Sequence, residues 1–581
     1  MKSRISFYIR LIAFWLLFFV VVKLYFLLVN SQNITDDLLE FPRIVWNGLR
    51  LDLSIAGYYS VIPLLLGLFS AYTQKIQRVY WWLVWVFTIL VVAVDPYFFM
   101  YWGQKTNLAF TQFLGKENAG LSSIDVSTYV VAIGLMVLAI FWFNRKGLEC
   151  LKSEHNSGWW GNLILLALSV LMIRSGVGKV PINISSAYYS QVNLYNNTAA
   201  NSIWQFLATE LERDKHAPLV FFDDMDEAQA IYLTADSICD TDLRPMIIPS
   251  ESPNVVFVVL ESFSAKTVGS ISGPKYASTP ELDKIMAEGI SYNRAYASSF
   301  RSDKGLLALT TGVPSSARQT LTNFPDRLMK MPNVFRLFDD SYNTGFYYGG
   351  NLEFANIKVL FNDADYVKSQ HNFDSENKNA WGIHDDTVFD RFLNDFLEEE
   401  KPQFKMMFSL SSHEPFDVPN YREKEDPYLN SIAYTDSCLG VLVQGLKNSD
   451  KWDNTIVFIT ADHGTIRPDN APIYDTSNFR IPLVITGGLV RGDTVVQDVV
   501  SQTELPATIS HVVLGKNLFN QKSILTPSNR AFYSYHNGIT YVTPMGVQYY
   551  DIGMKKYLYE PFTGPIEKAF YQLSNEQFFN D

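Results

Sequence analysis

The stretch "FYIRLIAFWLLFFVVVKLYFLLV", residues 7–29, is apolar over the length that one helix needs to cross a bilayer, about 20 residues. Further stretches of this kind lie at 52–72, 79–100, 126–144 and 159–175, so the first 176 residues are expected to form a transmembrane domain of five helices. No small-residue cleavage site follows the first stretch, which reads as a retained helix and not as a signal peptide. Lys and Arg set the orientation. Eight of them (Lys2, Arg4, Arg10, Lys75, Arg78, Arg145, Lys146, Lys152) fall in one set of segments and ends, and four (Arg43, Arg50, Lys105, Lys116) fall in the alternate loops. That asymmetry places the N-terminus in the cytoplasm and everything after residue 176 on the other side of the membrane.

About 400 residues remain there, enough for a large folded domain. Residues 177–250 read as a connecting helical linker near the membrane, because "SAYYSQVNLYNNTAANSIWQFLATELERDK" has helical spacing and aromatic residues. An acidic loop, "FFDDMDEAQA", and the Pro-punctuated "RPMIIPSESPN" then mark the entry to a third region, 251–581. From Asn254 onward short continuous apolar runs alternate with helical stretches. The runs "NVVFVVL", "NTGFYYG", "FKMMFSL", "TIVFITA" and "IPLVITG" predict strands, and "DDTVFDRFLNDFLEE" and "YLNSIAYTDSCLGVLVQGLKN" predict helices between them. This is the pattern of an α/β sandwich around a mostly parallel sheet covered on both faces. The net charge of −12 excludes a nucleic-acid partner, which needs a basic face. Of three cysteines, only Cys239 and Cys438 fall beyond the membrane, too few for a disulfide framework.

In open α/β sheets ligands gather beyond the carboxyl ends of the strands. Glu261 follows the first run, Ser411, Ser412 and His413 follow the third, and Asp462 and His463 follow the fourth. Taken singly, these residues fit a solvated strand end, a loop histidine or an Asx turn. Three polar clusters at one edge of one sheet point instead to a site. A Glu, an Asp-His pair and a hydroxyl make a four-ligand set for a divalent cation such as Mn2+, Mg2+ or Zn2+. The hydroxyl is Ser302 in "SSFRSDKGLLALTTG". At the start of a predicted helix, that serine reads from its own neighbours as an ordinary N-cap, and beside the other clusters as a nucleophile activated by a cation and the helix terminus.

The motifs "NVVFVVLESF", "FRSDKGLLALTTG", "YYGGNLEFAN", "SLSSHEPF" and "FITADHG", with "GLRLDLS" at 48–54 and "WGIHDD" at 381–386, carry a family resemblance. Residues from about 250 to 535 resemble the sulfatase and alkaline phosphatase superfamily, and the chain as a whole looks like the lipoteichoic acid synthase type of membrane phosphoglycerol transferase. The resemblance implies a multi-pass protein of the bacterial cell (inner) membrane with an extracytoplasmic catalytic domain. It also implies one divalent cation, by preference Mn2+, bound by Glu261, Ser302, Asp462 and His463. Ser302 would be the nucleophile, and His413 would contact the phosphate ester and assist the leaving oxygen. Arg301, Asn351, Phe354, Asn356 and Arg467 would line the substrate pocket.

The implied partners are a membrane phospholipid donor, phosphatidylglycerol, and a glycan or polymer acceptor. Three features depart from the lipoteichoic acid synthase pattern. The nucleophile is Ser instead of Thr, Asn351 stands where an Asp is expected, and "FANIKVLF" lacks the Trp and Arg of the usual "FWNR" segment. Phosphoethanolamine transfer by the same fold is the neighbouring alternative, and a non-enzymatic membrane sensor or lipid-handling protein is a further one. A true sulfatase would carry a Cys/Ser-x-Pro-x-Arg motif, which is absent.

Overall fold

In the computed structural model, residues 2–31, 34–68, 73–102, 105–106, 126–148, 159–177, 181–211, 220–234, 239–535, 538–559 and 564–580 are described. The chain divides into two compact units, Met1–Lys215 and His216–Asp581. The stretch expected as a linker, 177–250, is shared between them.

The first unit is helical: α1 (Lys2–Asn30), α2 (Ile34–Leu66), α3 (Thr73–Trp102), α4 (Val126–Trp142) and α5 (Trp159–Arg174). Among the described residues three helices are long and apolar enough to cross a membrane, namely Ile5–Asn30, Ile34–Leu66 and Lys75–Met100. The expectation of five such spans is corrected to this extent. The fourth and fifth stretches do form helices, but these have 17 and 16 residues and sit at the lower limit for a spanning helix. The second span also begins far earlier than residue 52, because "ITDDLLEFPRIVWNG" continues α2 toward its N-terminus. Residues 69–72 of that expected span, and Lys116 and Lys152 of the charge asymmetry, lie outside the described residues.

Inside this unit the Lys23 ammonium donates to both carboxylate oxygens of Asp52, at 2.6 and 2.7 Å, and Asn201 Nδ2 donates to Asp52 Oδ1 at 2.8 Å. All three side chains are buried. Gly48, one turn before Asp52, has no room for a side chain: a Cβ there would lie 2.1 Å from the Ala199 carbonyl oxygen. The "GLRLD" segment therefore carries a close backbone approach and a buried carboxylate on one face of α2. The helix expected over 186–215 is in fact two, Asn193–Ala199 and Ser202–Leu211. Asn201 breaks it, since its Oδ1 accepts from the Ile203 and Trp204 amides and so caps the second helix.

The second unit holds a nine-stranded sheet with the order β4-β3-β5-β1-β6-β8-β2-β7, in which β9 also pairs with β2. Its strands are β1 (Asn254–Leu260), β2 (Ile290–Tyr296), β3 (Asn343–Tyr348), β4 (Tyr366–Lys368), β5 (Gln403–Phe408), β6 (Thr455–Ala461), β7 (Arg480–Ile481), β8 (Leu483–Thr486) and β9 (Thr494–Ser501). All five predicted runs are strands of this sheet. The half from β4 to β6 is parallel, whereas β8 runs antiparallel to both β6 and β2. The sheet is thus mixed, with a parallel majority.

Strands β1, β5 and β6 are buried along their whole length, as continuous apolar runs require when both faces are covered. Among the covering helices are α6 (Ser302–Thr311), α7 (Asp385–Glu398) and α8 (Pro427–Lys447). A second sheet was not foreseen. It is antiparallel and four-stranded, with β10 (Ala531–Tyr535), β11 (Gly538–Thr543), β12 (Gly546–Asp551) and β13 (Lys556–Tyr559) in sequential order.

Candidate active site

Register brings the first ligands together. Leu260, the last residue of β1, stands opposite Ala461, the last residue of β6. The next residue on each strand is a carboxylate, so Glu261 and Asp462 leave the sheet side by side, and His463 follows. Ligand atoms of Glu261, Asp462 and His463 lie within 4.8 Å of one another, and all three side chains are buried. Ser302 enters from α6: its Oγ lies 3.2 Å from Glu261 Oε2, to which it donates, and 3.4 Å from His463 Nε2.

The helix boundary shows that Ser302 is not the N-cap of α6. Arg301 occupies the N-cap position with extended backbone and no side-chain cap, and Ser302 is the first helical residue. Its hydroxyl turns away from the helix amides and toward the carboxylate and imidazole. Gly305, one turn on, is what lets α6 come this close, because a Cβ there would sit 2.0 Å from the Asp462 carbonyl oxygen. Glycine inside a helix weakens it by about 1 kcal/mol relative to alanine. Such a residue within "SDKGLLAL" was a readable sign of close backbone approach.

The surroundings hold these groups in place. Ser262, with φ 56°, donates its amide to Asp462 Oδ1 at 2.9 Å and its hydroxyl to Glu261 Oε1 at 2.5 Å. The His463 amide also donates to Asp462 Oδ1, at 2.7 Å, while Asp462 Oδ2 is buried and accepts no hydrogen bond. The His463 ring donates from Nδ1 to the Gly464 carbonyl at 2.8 Å, which leaves the Nε2 lone pair facing the site. From the neighbouring strand end, Ser409 Oγ accepts the Glu261 amide at 2.8 Å, and Ser412 Oγ donates to the Glu261 carbonyl at 2.5 Å. Ser412 was named in the sequence reading as part of the cluster after the third run, whereas Ser262, Ser409 and Gly305 were not singled out. The two serines are common loop residues there and carried no separate signal.

The electrostatics ask for a cation. Burial, and then the Glu261 charge, push Asp462 up to about 7. Burial lowers the His463 pKa, but the Asp462 and Glu261 carboxylates outweigh it and the imidazole stands above its ordinary value. Two buried carboxylates facing each other, an orphaned carboxylate oxygen, an imidazole lone pair and a hydroxyl together fit a divalent cation.

The other predicted residues are spread more widely. His413 is half-buried after β5, with Nδ1 donating to the Glu414 carbonyl at 2.8 Å and its ring 4.5 Å from that of Trp381. Trp381 is delivered by "WGIHDD", which docks on "YYGGN" through the Gly350–Gly382 bridge and the Ile383 amide to the Gly349 carbonyl, 2.9 Å. The Arg467 guanidinium lies 5.9 Å over the Phe416 ring, on the same loop as His413. Arg301 is 47% exposed and its Nε donates to Asp303 Oδ1 at 3.1 Å.

Asn351 accepts the Glu353 amide at 2.9 Å, as a turn residue does. Asn356 is buried with φ 59° and donates to Asn323 Oδ1 at 2.7 Å, so it braces a neighbouring turn. Phe354 opens the 3-10 segment Phe354–Phe361, and its side chain lies outside the described residues. No hydrogen bond among the described residues links Arg301, Asn351, Asn356 or Arg467 to the Glu261, Ser302, Asp462 and His463 cluster.

A buried Asp-His pair, a carboxylate and a helix-borne hydroxyl thus lie together at the carboxyl edge of the sheet, a group that could hold a metal ion. Residues 253–515 match the sulfatase family model, and this segment is a sulfatase-family domain. Phosphoglycerol transferase I of Escherichia coli (strain SMS-3-5 / SECEC) is 22% identical over 246 residues, covering 37% of this chain and 31% of the relative. Lipoteichoic acid synthase of Staphylococcus saprophyticus is 22% identical over 241 residues, covering 37% of this chain and 36% of the relative. The matches thus span about a third of the length of these curated relatives. The crystal structure of the lipoteichoic acid synthase LtaP from Listeria monocytogenes superposes with a TM-score of 0.51 at 19% identity, covering 61% of this chain and 98% of that one. The second unit therefore has the alkaline phosphatase/sulfatase-like fold.

Proposed function

We propose that this chain is a membrane-anchored, metal-dependent transferase that moves a phosphoglycerol headgroup from phosphatidylglycerol to an extracytoplasmic glycan or polymer acceptor. The observation that carries the reading is the Ser302 hydroxyl, turned off its helix toward Glu261 and His463. Apolar N-terminal helices of spanning length support a lipid donor, since a lipid must be met at its own surface. The sulfatase-family domain and the phosphoglycerol transferases among its relatives support ester transfer at phosphorus.

A divalent cation, Mn2+ by preference, would be held by Glu261, Ser302, Asp462 and His463, where it would supply positive charge opposite the phosphoryl oxygens and lower the pKa of the hydroxyl. The Ser302 hydroxyl, its proton lost to solvent, attacks phosphorus as the alkoxide, and the diacylglycerol oxygen leaves with a proton that His413 is proposed to give from Nε2. A phosphoglyceryl-serine remains. An acceptor hydroxyl then attacks the same phosphorus from the opened side, its proton passes to His413, and Ser302 is released as the alkoxide, which retakes a proton from solvent. Arg301, Asn351, Phe354, Asn356 and Arg467 are proposed to contact the headgroup. With three spans or five the count is odd, and a cytoplasmic N-terminus sets the second unit outside the cell.

The test is full-length protein in vesicles with headgroup-labelled phosphatidylglycerol or phosphatidylethanolamine and Mn2+. Diacylglycerol release from the phosphatidylglycerol vesicles is the expected result. Release from phosphatidylethanolamine alone reassigns the headgroup, and release from neither overturns the reading. In intact cells, a cysteine at Thr465 reacts with an impermeant reagent, and protection of that cysteine overturns the orientation.

A further inference from the structure

We infer that Gln502 is a positioning residue that fixes the nucleophile segment against the ligand pair; the inference rests on the reading of Ser302, Asp462 and His463 given above. Gln502 lies just beyond β9 at the start of a short 3-10 turn, 40 residues from Asp462 in sequence, and is 1% exposed. Its Oε1 accepts the Ser298 amide at 3.0 Å. Its Nε2 donates to two carbonyls, those of Ala461 at 2.9 Å and Asp462 at 2.7 Å. The partners fix which way the amide points: a backbone N–H can only donate and a carbonyl can only accept, so neither end can be exchanged for the other.

One side chain thus ties together two segments that meet at the site. Ser298 belongs to the bent segment that leads from β2 into α6, four residues before Ser302. Ala461 and Asp462 are the strand end that carries the ligand pair. The Asp462 carbonyl that Gln502 holds is also the atom against which Gly305 packs. Three elements therefore converge on a single peptide group: β6, α6 and the turn after β9. If that peptide rotates, Asp462 Oδ1 leaves the Ser262 and His463 amides, and the distance from Ser302 to His463 changes with it. The far end is as firmly set, because the Ser298 carbonyl accepts the Ser534 amide at 3.0 Å and the Ser315 hydroxyl at 2.5 Å. Gln502 touches neither the hydroxyl nor a ligand atom, so it acts only through the groups it holds.

The test uses full-length Gln502→Leu and Gln502→Glu proteins, with Ser302→Ala measured beside them. Gln502→Leu removes all three hydrogen bonds. Gln502→Glu keeps the acceptor for Ser298 and turns a carboxylate toward two carbonyl oxygens, so it serves where Leu fails to fold. Mn2+ affinity by calorimetry is expected to fall about 10- to 100-fold in both, the range seen when groups behind a metal ligand are removed. Turnover of phosphatidylglycerol falls in kcat with KM unchanged. A folded Gln502 variant with wild-type Mn2+ affinity and kcat, even one with a lowered Tm, makes Gln502 a packing residue and overturns the inference. If Ser302→Ala is inactive while the Gln502 variants are normal, only this inference fails. Full turnover by Ser302→Ala instead overturns the reading of the site itself.

Discussion

Ser302→Ala abolishes headgroup transfer while the protein remains folded and binds its cation. The hydroxyl is the only group of residue 302 that reaches Glu261 and His463. Removing it takes away the attacking atom and leaves the Glu261–Asp462–His463 ligand atoms where they are. The rate is expected to fall at least about a thousandfold, as nucleophile removal does in other double-displacement enzymes. Stability changes little, because Ser302 supplies no cap to α6 and alanine is a better helix former at the first helical position. Ser302→Thr keeps the oxygen and retains measurable turnover. Rapid quenching with headgroup-labelled phosphatidylglycerol places the label on the peptide containing Arg301–Lys304 in wild type and nowhere in Ser302→Ala. Near-normal transfer by Ser302→Ala, or label on Ser299, removes the serine from the mechanism.

Glu261→Ala has the second large effect, and it separates binding from folding. Without a cation, the Glu261 charge adds to burial in pushing Asp462 up to about 7. Removing Glu261 relieves that repulsion, so ion-free Glu261→Ala melts no lower than ion-free wild type. Wild type gains Tm on adding Mn2+ through linkage of binding to folding, and the variant does not. Its Mn2+ affinity falls at least about a hundredfold, beyond the loss expected for groups behind a ligand. Chelation stops turnover of wild type, and Mn2+, Mg2+ or Zn2+ restores it.

The same charges set a pH dependence. A cation binds the ionised Asp462 and the neutral His463, and each is held protonated to a higher pH than usual in the ion-free site. Below about pH 7, Mn2+ must displace the proton on Asp462, and its affinity drops about tenfold per pH unit for each proton released. Calorimetry at pH 8 and pH 6 reads this directly. Affinity that is flat across that interval removes Asp462 and His463 from the ligand set.

How far the sequence could be read depended on the range of each interaction. The strands of the parallel half were legible because both of their faces are covered, and "NVVFVVL" and "TIVFITA" advertise this as unbroken apolar runs. Glu261 and Asp462 were legible as strand-end carboxylates, although the pairing of Leu260 with Ala461 that sets them side by side spans 201 residues and leaves no local mark. Ser302 was ambiguous for a local reason. Cap and first helical residue differ by one position, and only the approach of α6 to Asp462 through Gly305 decides which one it is. The strands β10 to β13 are four to six residues long and mix tyrosines with Ser, Thr, Gln, Asp and Lys, so their apolar signal was too thin to stand out, although Gly538 and Gly546 mark the turns. Asn201 read as one polar residue in a helical run, because its capping role depends on where the chain bends. The pocket residues proposed by resemblance were the least legible: Asn351 and Asn356 serve turns in the structure.

The order of strands also sets a timetable. β1 is the first strand of its sheet to be synthesised, yet it lies in the middle, and its two neighbours are β5 and β6. At roughly 5–20 residues per second, the chain waits on the order of 10–40 s between completing β1 and completing β6. Through that interval β1 is an apolar segment with two bare edges, in need of a chaperone or a transient cover. A chain released before the end of β6 carries Ser302 and Glu261 but lacks Asp462 and His463. The Glu261, Asp462 and His463 cluster is thereby incomplete until residue 463 has been made, and shorter products lack it.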